Sequence, residues 1–101
     1  MKVNVSSVAR IQSARVYSQI ELIAATRPVT GKSAVVEVSD SANGSALIVA
    51  AESALKITPP AGLSKVMLVV NGAEVDESVS LASLGLADGS SVQVRFYVQI
   101  A

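Results

Sequence analysis

Apolar and polar residues alternate with a period of two in several parts of the chain, which is the pattern of half-buried β-strands. Residues 33–38 alternate in this way, and the last strand-like segment does so more strictly, with Val92, Val94 and Phe96 on one face and Gln93, Arg95 and Tyr97 on the other. Residues 65–70 form an apolar strand that runs into an Asn71-Gly72 turn and a short strand at residues 73–75. Asn-Gly between strands is a strong hairpin signal. The pattern therefore predicts a sheet.

One segment, residues 46–56, has helical periodicity. Its apolar residues at helical spacing are predicted to be buried, and they are Leu47, Ala50, Ala51, Ala54 and Leu55. Val49 lies with the polar residues and is predicted to be exposed. Residues 39–45 (SDSANGS) supply N-cap residues, and residues 57–60 (ITPP) end the helix because proline cannot continue it. One helix packed across a mixed sheet of four to five strands is the expected α+β fold.

Composition and charge exclude several classes of function. Lys plus Arg and Asp plus Glu each number 8, so the net charge is 0 and no basic excess supports nucleic-acid binding. The chain has no His and no Cys, which excludes disulfides, Cys/His zinc sites and a histidine general base. We expect no cofactor and no metal. The longest apolar run, residues 46–51, is too short to span a bilayer, and no signal-peptide core follows Met1. We therefore expect a cytoplasmic (intracellular) protein without a membrane partner.

Four features, in order along the chain, resemble ubiquitin and its relatives, the β-grasp family. They are the Thr30-Gly31-Lys32-Ser33 turn before a strand, the Ile57-Thr58-Pro59-Pro60 helix exit, the Leu68-Val69-Val70-Asn71-Gly72 strand and turn, and Leu81, Leu84 and Leu86 before the Asp88-Gly89 turn. The resemblance covers residues 16–98 and runs without a gap over residues 67–98. It implies a β-grasp sheet with one main helix and a short helical segment near residue 84.

Two segments compete for the first strand of that fold. Residues 1–5 (MKVNV) alternate, and so do residues 17–25 (YSQIELIAA). We favour residues 17–25, because this choice keeps the first hairpin local and avoids a long structureless loop in a compact domain. Residues 1–15 are then an N-terminal extension or an extra edge strand, and residues 16–101 are the ubiquitin-like domain.

The residues that could carry chemistry favour structural interpretations. Gly31-Lys32-Ser33 looks like the end of a phosphate-binding loop, but Thr26 stands where that motif needs glycine and a strand follows where it needs a helix. Glu74, Asp76 and Glu77 lack the further oxygens of a calcium loop, so a solvated turn is the better interpretation. The serines have no histidine to activate them. We expect that the protein is not an enzyme.

The resemblance also implies a recognition surface, because ubiquitin carries a small apolar patch on the outer face of its sheet. By position, Val69 matches the centre of that patch, Gly72 the glycine that follows it, and Val29 the nearby hairpin loop. Arg95 stands where the patch has a valine, so charge replaces part of it. The candidate protein-binding residues are Val29, Met67, Val69, Gly72, Arg95 and Tyr97. An ordinary outer sheet face explains these residues equally well, and both interpretations stay open.

Conjugated relatives end in a Gly-Gly tail, whereas this sequence ends Val98-Gln99-Ile100-Ala101 with the strand pattern continuing. We therefore expect a non-conjugatable, non-catalytic ubiquitin-like interaction module that binds a protein partner and is part of a larger protein or assembly. The alternatives are a scaffold domain that self-associates into a homo-oligomer through a strand edge or the outer face, and a truncated modifier or sulfur carrier.

Overall fold

The structure, a computed structural model, describes residues 1–11, 18–20, 31–57 and 63–98. The elements whose bounds fall within these residues are β1 (Lys2–Ile11), β2 (Ser33–Glu37), α1 (Gly44–Leu55), β3 (Leu63–Val70), β4 (Ala73–Val75) and β5 (Ser91–Val98). These elements include every strand that the alternation predicts between residues 33 and 98.

The five strands form one mixed sheet in the order β2-β1-β5-β3-β4. The two central strands, β1 and β5, are parallel, with Val5 beside Val92 and Ile11 beside Val98. The other neighbours are antiparallel, and β3 and β4 form a hairpin in which Val70 pairs with Ala73. Helix α1 packs on one face of this sheet. The fold is therefore α+β in a β-grasp-like arrangement, as expected.

The role of the N-terminal segment was predicted wrongly. Residues 1–15 were expected to be an extension or an edge strand, but β1 lies inside the sheet between β2 and β5, and it is the strand that pairs with β2. The favoured first strand, residues 17–25, lies outside the described residues except for residues 18–20, and Gln19 and Ile20 are helical. Residues 12–32 thus connect β1 to β2. The prediction had favoured a shorter connection between the first two strands.

Besides the preference for a local hairpin, a polar residue on the inward side of β1 contributed to this error. Val3 and Val5 are almost fully buried, and Ser7 continues their face at 5% exposure. The Ser7 hydroxyl accepts a hydrogen bond from the backbone N–H of Lys32 at 3.2 Å and donates to the carbonyl of Lys32 at 3.4 Å. A buried hydroxyl is tolerated when it is hydrogen-bonded. Because Ser7 interrupts the apolar alternation, the sequence pattern hides the second half of the strand.

The main core lies between α1 and the sheet face that carries Val94 and Phe96. The buried stripe of the helix is Gly44, Leu47, Ile48, Ala51 and Leu55. The burial predicted for Leu47, Ala51 and Leu55 and the exposure predicted for Val49 are confirmed, but Ala54 is exposed and Ala50 is only half-buried. Compared with the prediction, the buried side of the helix is therefore shifted towards Ile48 and away from Ala50 and Ala54.

Gly44 brings the start of α1 against the loop that follows β4. A Cβ at this position would lie 2.8 Å from Glu77 Cα, so only glycine fits without a shift of backbone. The backbone N–H of Ser45 donates to the Glu77 carbonyl at 2.8 Å. The Asn43 side chain caps the helix by accepting from the backbone N–H of Ala46 at 3.0 Å. These contacts fix the loop and, with it, the end of β4.

The segment after that loop, residues 81–86, forms consecutive turns where the resemblance implied a short helix. Leu81 and Leu86 enter the core from these turns, at 0% and 7% exposure. The Asp88-Gly89 turn then leads into β5, and its Asp88 carboxylate accepts from the backbone N–H of Lys2 at 2.6 Å. Leu84, the third leucine of the segment, is only half-buried.

Candidate functional site

The side of the sheet turned away from α1 is here called the outer face. Towards β3 and β4, strand pairing arranges its side chains in three adjacent rows. These rows are Arg10, Tyr97 and Lys65; then Val8, Arg95 and Met67; then Ser6, Gln93, Val69 and Glu74. Four of the six residues predicted from the sequence, Met67, Val69, Arg95 and Tyr97, are therefore neighbours on one surface.

A chain of polar contacts joins three strands across this face. The Arg95 guanidinium donates through Nη1 to the Tyr97 hydroxyl at 3.4 Å, and that hydroxyl donates to Glu74 Oε1 at 2.6 Å. Arg95 Nη1 lies 4.0 Å from the same carboxylate oxygen. The Lys65 ammonium lies 4.7 Å from the centre of the Tyr97 ring, a cation–π distance. Side chains of β3, β4 and β5 are thus held together around Tyr97.

Arg95 and Val69 are more buried than an ordinary solvent-facing sheet surface requires. Val69 is 4% exposed although it does not belong to the main core cluster, and the Arg95 side chain is 20% exposed. Arg95 Nε is buried and has no hydrogen-bond partner among the described residues. The hydrogen bond to Tyr97 raises the pKa of the Arg95 guanidinium above its ordinary value, although burial acts in the opposite direction. Arg95 is therefore a charged group with an unused buried donor.

Two shallow depressions lie on this face and meet along β1 and β5, and one of them is lined by Arg95. Their volumes are about 360 and 300 Å³, and both are lined by Ser6, Ser91 and Val92. The first extends over β2 to Ser33 and Val35. The second follows β5 to Arg95 and extends over β3 to Gly72. We call the two together the outer trough. Hydroxyl and amide groups supply most of its polar lining, and Arg95 supplies its positive charge.

The other two predicted residues have different outcomes. Gly72 has a φ of 80° and Asn71 a φ of 51°, the left-handed pair that a two-residue hairpin turn requires, and both residues line the second depression. Gly72 therefore lies at the end of the outer trough. Val29 lies outside the described residues, so its place relative to this surface stays a prediction.

Sequence reasoning missed Glu74 as a member of this site, because it was grouped with Asp76 and Glu77 as a turn. The structure separates them. Asp76 Oδ1 accepts hydrogen bonds from the backbone N–H and the hydroxyl of Ser78, at 2.9 and 2.7 Å, and these bonds lower the pKa of Asp76. Within residues 1–11, 18–20, 31–57 and 63–98, no three His, Cys, Asp or Glu side chains are placed to hold a metal ion. Glu74 is assigned to the outer face by the register of β4 against β3, in which it pairs with Val69.

The phosphate-loop interpretation of Gly31-Lys32-Ser33 is contradicted by the element that follows it. Ser33 begins β2, whereas a phosphate-binding loop must open a helix whose amides face the phosphate. Gly31 has a φ of 77°, and its backbone N–H donates to the Ser7 carbonyl at 3.1 Å. Gly31 therefore helps to hydrogen-bond β1 to the segment that leads into β2.

No protein-family model matches this chain, and a search of curated proteins finds no match. In the part of the chain that the structure describes, no helix is long and apolar enough to cross a membrane. Functional inference therefore depends on the fold and on the outer face.

Proposed function

We propose that this chain is a non-catalytic, ubiquitin-like domain that acts as a protein–protein interaction module through its outer face. The strand order β2-β1-β5-β3-β4 around one helix supports the ubiquitin-like assignment, together with the Asn71-Gly72 hairpin turn and the buried Leu81 and Leu86 before β5. The sequence has no His and no Cys, so it lacks the commonest general base and the most nucleophilic side chain, which supports a non-catalytic role.

The observation that carries the interaction role is the ordered outer-face network of Arg95, Tyr97 and Glu74 beside buried Val69. Side chains that are already held in place lose less conformational freedom when a partner binds, so more of the contact energy remains as affinity. Arginine and tyrosine are also the residue types that most often dominate binding energy at protein interfaces. An ordinary solvated sheet face requires neither the burial of Arg95 nor the links between strands.

Site-specific photocrosslinking tests this proposal. A photoreactive benzoylphenylalanine replaces Ser91, which is exposed and lines the outer trough, and a second variant carries the same group at Val49, which is 68% exposed on α1. In an extract of the cells that make the protein, we expect a discrete adduct from the Ser91 variant. Excess unlabelled protein should abolish it, and the Val49 variant should give none.

An adduct formed equally well from both positions, or from Val49 alone, would place the contact elsewhere and refute the outer-face proposal. No competed adduct from either variant would refute the interaction role itself. Any captured protein is then purified and tested for direct binding, because capture alone does not establish a specific partner.

Self-association is the second candidate function, and the exposed edge strand β2 favours it. In the described part of the chain β2 pairs only with β1, and its Val35 is 61% exposed. Unpaired strand edges are templates for pairing with another chain. Sedimentation across a wide concentration range tests this alternative. If the protein self-associates through β2, Val35→Lys should shift it towards monomer; a monomer at all concentrations rejects the scaffold role.

A further inference from the structure

The unused side of the Arg95 guanidinium identifies the chemistry of the partner. We infer that Arg95, with the outer trough beside it, binds a carboxylate on an acidic segment of the partner protein. This inference rests on the proposed function and makes it specific, since it names the group that the outer face recognises.

Arg95 has more hydrogen-bond donors than its neighbours on the outer face use. A guanidinium has five N–H donors, arranged as a planar fork. Nη1, on one side of the fork, is directed to Tyr97 and Glu74. Nε and Nη2 form the other side, and Nε is buried without a partner among the described residues. A buried donor without a partner is unfavourable. A carboxylate that approaches Nη2 from the outer trough can accept two parallel hydrogen bonds from this side when the guanidinium turns to open Nε.

The second feature of the site is the local charge around Arg95. In the three rows of the outer face defined above, the charged residues are Arg10, Lys65 and Arg95 against Glu74 alone. The charge of these rows is therefore net positive, although the chain as a whole is neutral. Such a patch attracts and orients an anionic partner.

The third feature is the shape of the site. The outer trough crosses four strands, from Gly72 on the β3 side to Val35 on β2. With strands about 4.8 Å apart, this span is roughly 14 Å, the length of about four residues of extended peptide. Its lining offers hydrogen-bonding side chains, namely Asn4, Ser6, Ser33, Asn71, Ser91 and Gln93. The site therefore fits a short extended peptide with one acidic side chain at Arg95.

A peptide carboxylate fits this site better than a nucleic-acid phosphate. The Glu74 carboxylate, 4.0 Å from Arg95 Nη1, opposes a run of closely spaced anions more strongly than it opposes a single one. Nucleic-acid binding also gains from many phosphate contacts along a basic surface, and the neutral chain does not supply them.

The test is an NMR titration of the full, isotopically labelled chain with two synthetic peptides. The first is a capped hexapeptide of alternating Asp and Val, and the second replaces each Asp by Asn. We expect the acidic peptide to produce a saturable shift of the Arg95 Nε–H signal together with the amides of Ser6 and Ser91, and the Asn peptide to produce none. Arg95→Lys keeps the charge but removes the fork and should weaken binding roughly tenfold. Lys56→Gln, at the cap of α1, removes a charge away from the outer face and should have no effect.

Three results would overturn the inference. The first is binding that leaves the Arg95 Nε–H signal and the effect of Arg95→Lys unchanged. The second is inorganic phosphate that binds as tightly as the acidic peptide. The third is a concentration-dependent shift of these signals without peptide, which would assign the carboxylate to a second copy of this chain. The readout on Nε–H uses the unmodified protein, so it stands even if a variant fails to fold. If the Ser91 crosslink forms while this titration fails, the interaction role survives without the carboxylate.

Discussion

The hydrogen bond from the Tyr97 hydroxyl to Glu74 Oε1, at 2.6 Å, ties β5 to β4 across β3. Its strength decides whether the outer face is organised before a partner arrives. A hydrogen bond to a charged acceptor contributes about 1.5–3 kcal/mol when it is well buried. The Glu74 side chain is 33% exposed, so water screens part of this interaction. We therefore expect a coupling energy between Tyr97 and Glu74 of about 1 kcal/mol, near the upper end for partly exposed pairs.

A double-mutant cycle measures this coupling directly. Tyr97→Phe, Glu74→Ala and the double variant are unfolded in urea, and the free energies of unfolding are compared with the unmodified protein. The other contacts of Tyr97 and the packing of Glu74 cancel in the cycle. The matched control pairs Tyr97→Phe with Glu37→Ala on β2, and these two changes should be additive within about 0.3 kcal/mol. A Tyr97–Glu74 coupling no larger than that of the control would refute the view that the outer face is preorganised.

Two further predictions concern the loop that holds β4. Gly44→Ala should destabilise the fold by about 1–3 kcal/mol in urea unfolding, because the new Cβ would lie 2.8 Å from Glu77 Cα and outweigh the better helix propensity of alanine. Ser53→Ala, at an exposed position of the same helix, should be neutral or stabilise by up to about 0.5 kcal/mol; equal losses in both variants would contradict the close approach at Gly44. The second prediction is a pH dependence. The bonds from Ser78 favour ionised Asp76 in the folded state and lower its pKa below 3.8, so their stabilising contribution is present above that value and is lost as the pH falls through the lowered pKa. The stability difference between the unmodified protein and Asp76→Asn should therefore be constant near neutral pH and shrink below about pH 4. A stability difference that grows on acidification would contradict the lowered pKa of Asp76.

Much of the fold could be predicted from the sequence because one side of most elements is buried. In β5 the inward residues are Val92, Val94 and Phe96, so a period of two is visible without any structure. The Asn71-Gly72 turn was equally readable, because few residue pairs adopt two successive positive φ values. Local patterning and tertiary burial agree in these segments, and there the predictions are confirmed.

The errors occur where a tertiary contact compensates for a local mismatch. Ser7 is polar on the inward side of β1, and hydrogen bonds to the backbone of Lys32 make its burial acceptable. Alternation alone cannot anticipate that compensation. In α1 the exposed Ala54 was assigned to the core because alanine is compatible with either side of a helix. The buried stripe begins at Gly44, whose close contact with Glu77 has no signal in the hydrophobic pattern.

The candidate site was predictable only in part. Arg95 and Tyr97 follow from the alternation of β5, whereas Met67 and Val69 lie in an apolar run, and the β-grasp resemblance indicated their face. Placing Glu74 with Tyr97 requires the register of β4 against β3, which depends on the hairpin geometry. The burial of Arg95 Nε depends on the packing of neighbouring side chains, so no single-sequence pattern indicates it.

The central claim is that the outer face is where this domain binds another protein. The most direct measurement is a map of backbone amide shifts in the labelled protein. The titrant is the partner that crosslinking identifies, purified in its free form. The account predicts that the largest shifts lie at Ser6, Gln93 and Arg95, with the residues of α1 unchanged. Largest shifts within Gly44–Leu55, with the outer face unmoved, would contradict it.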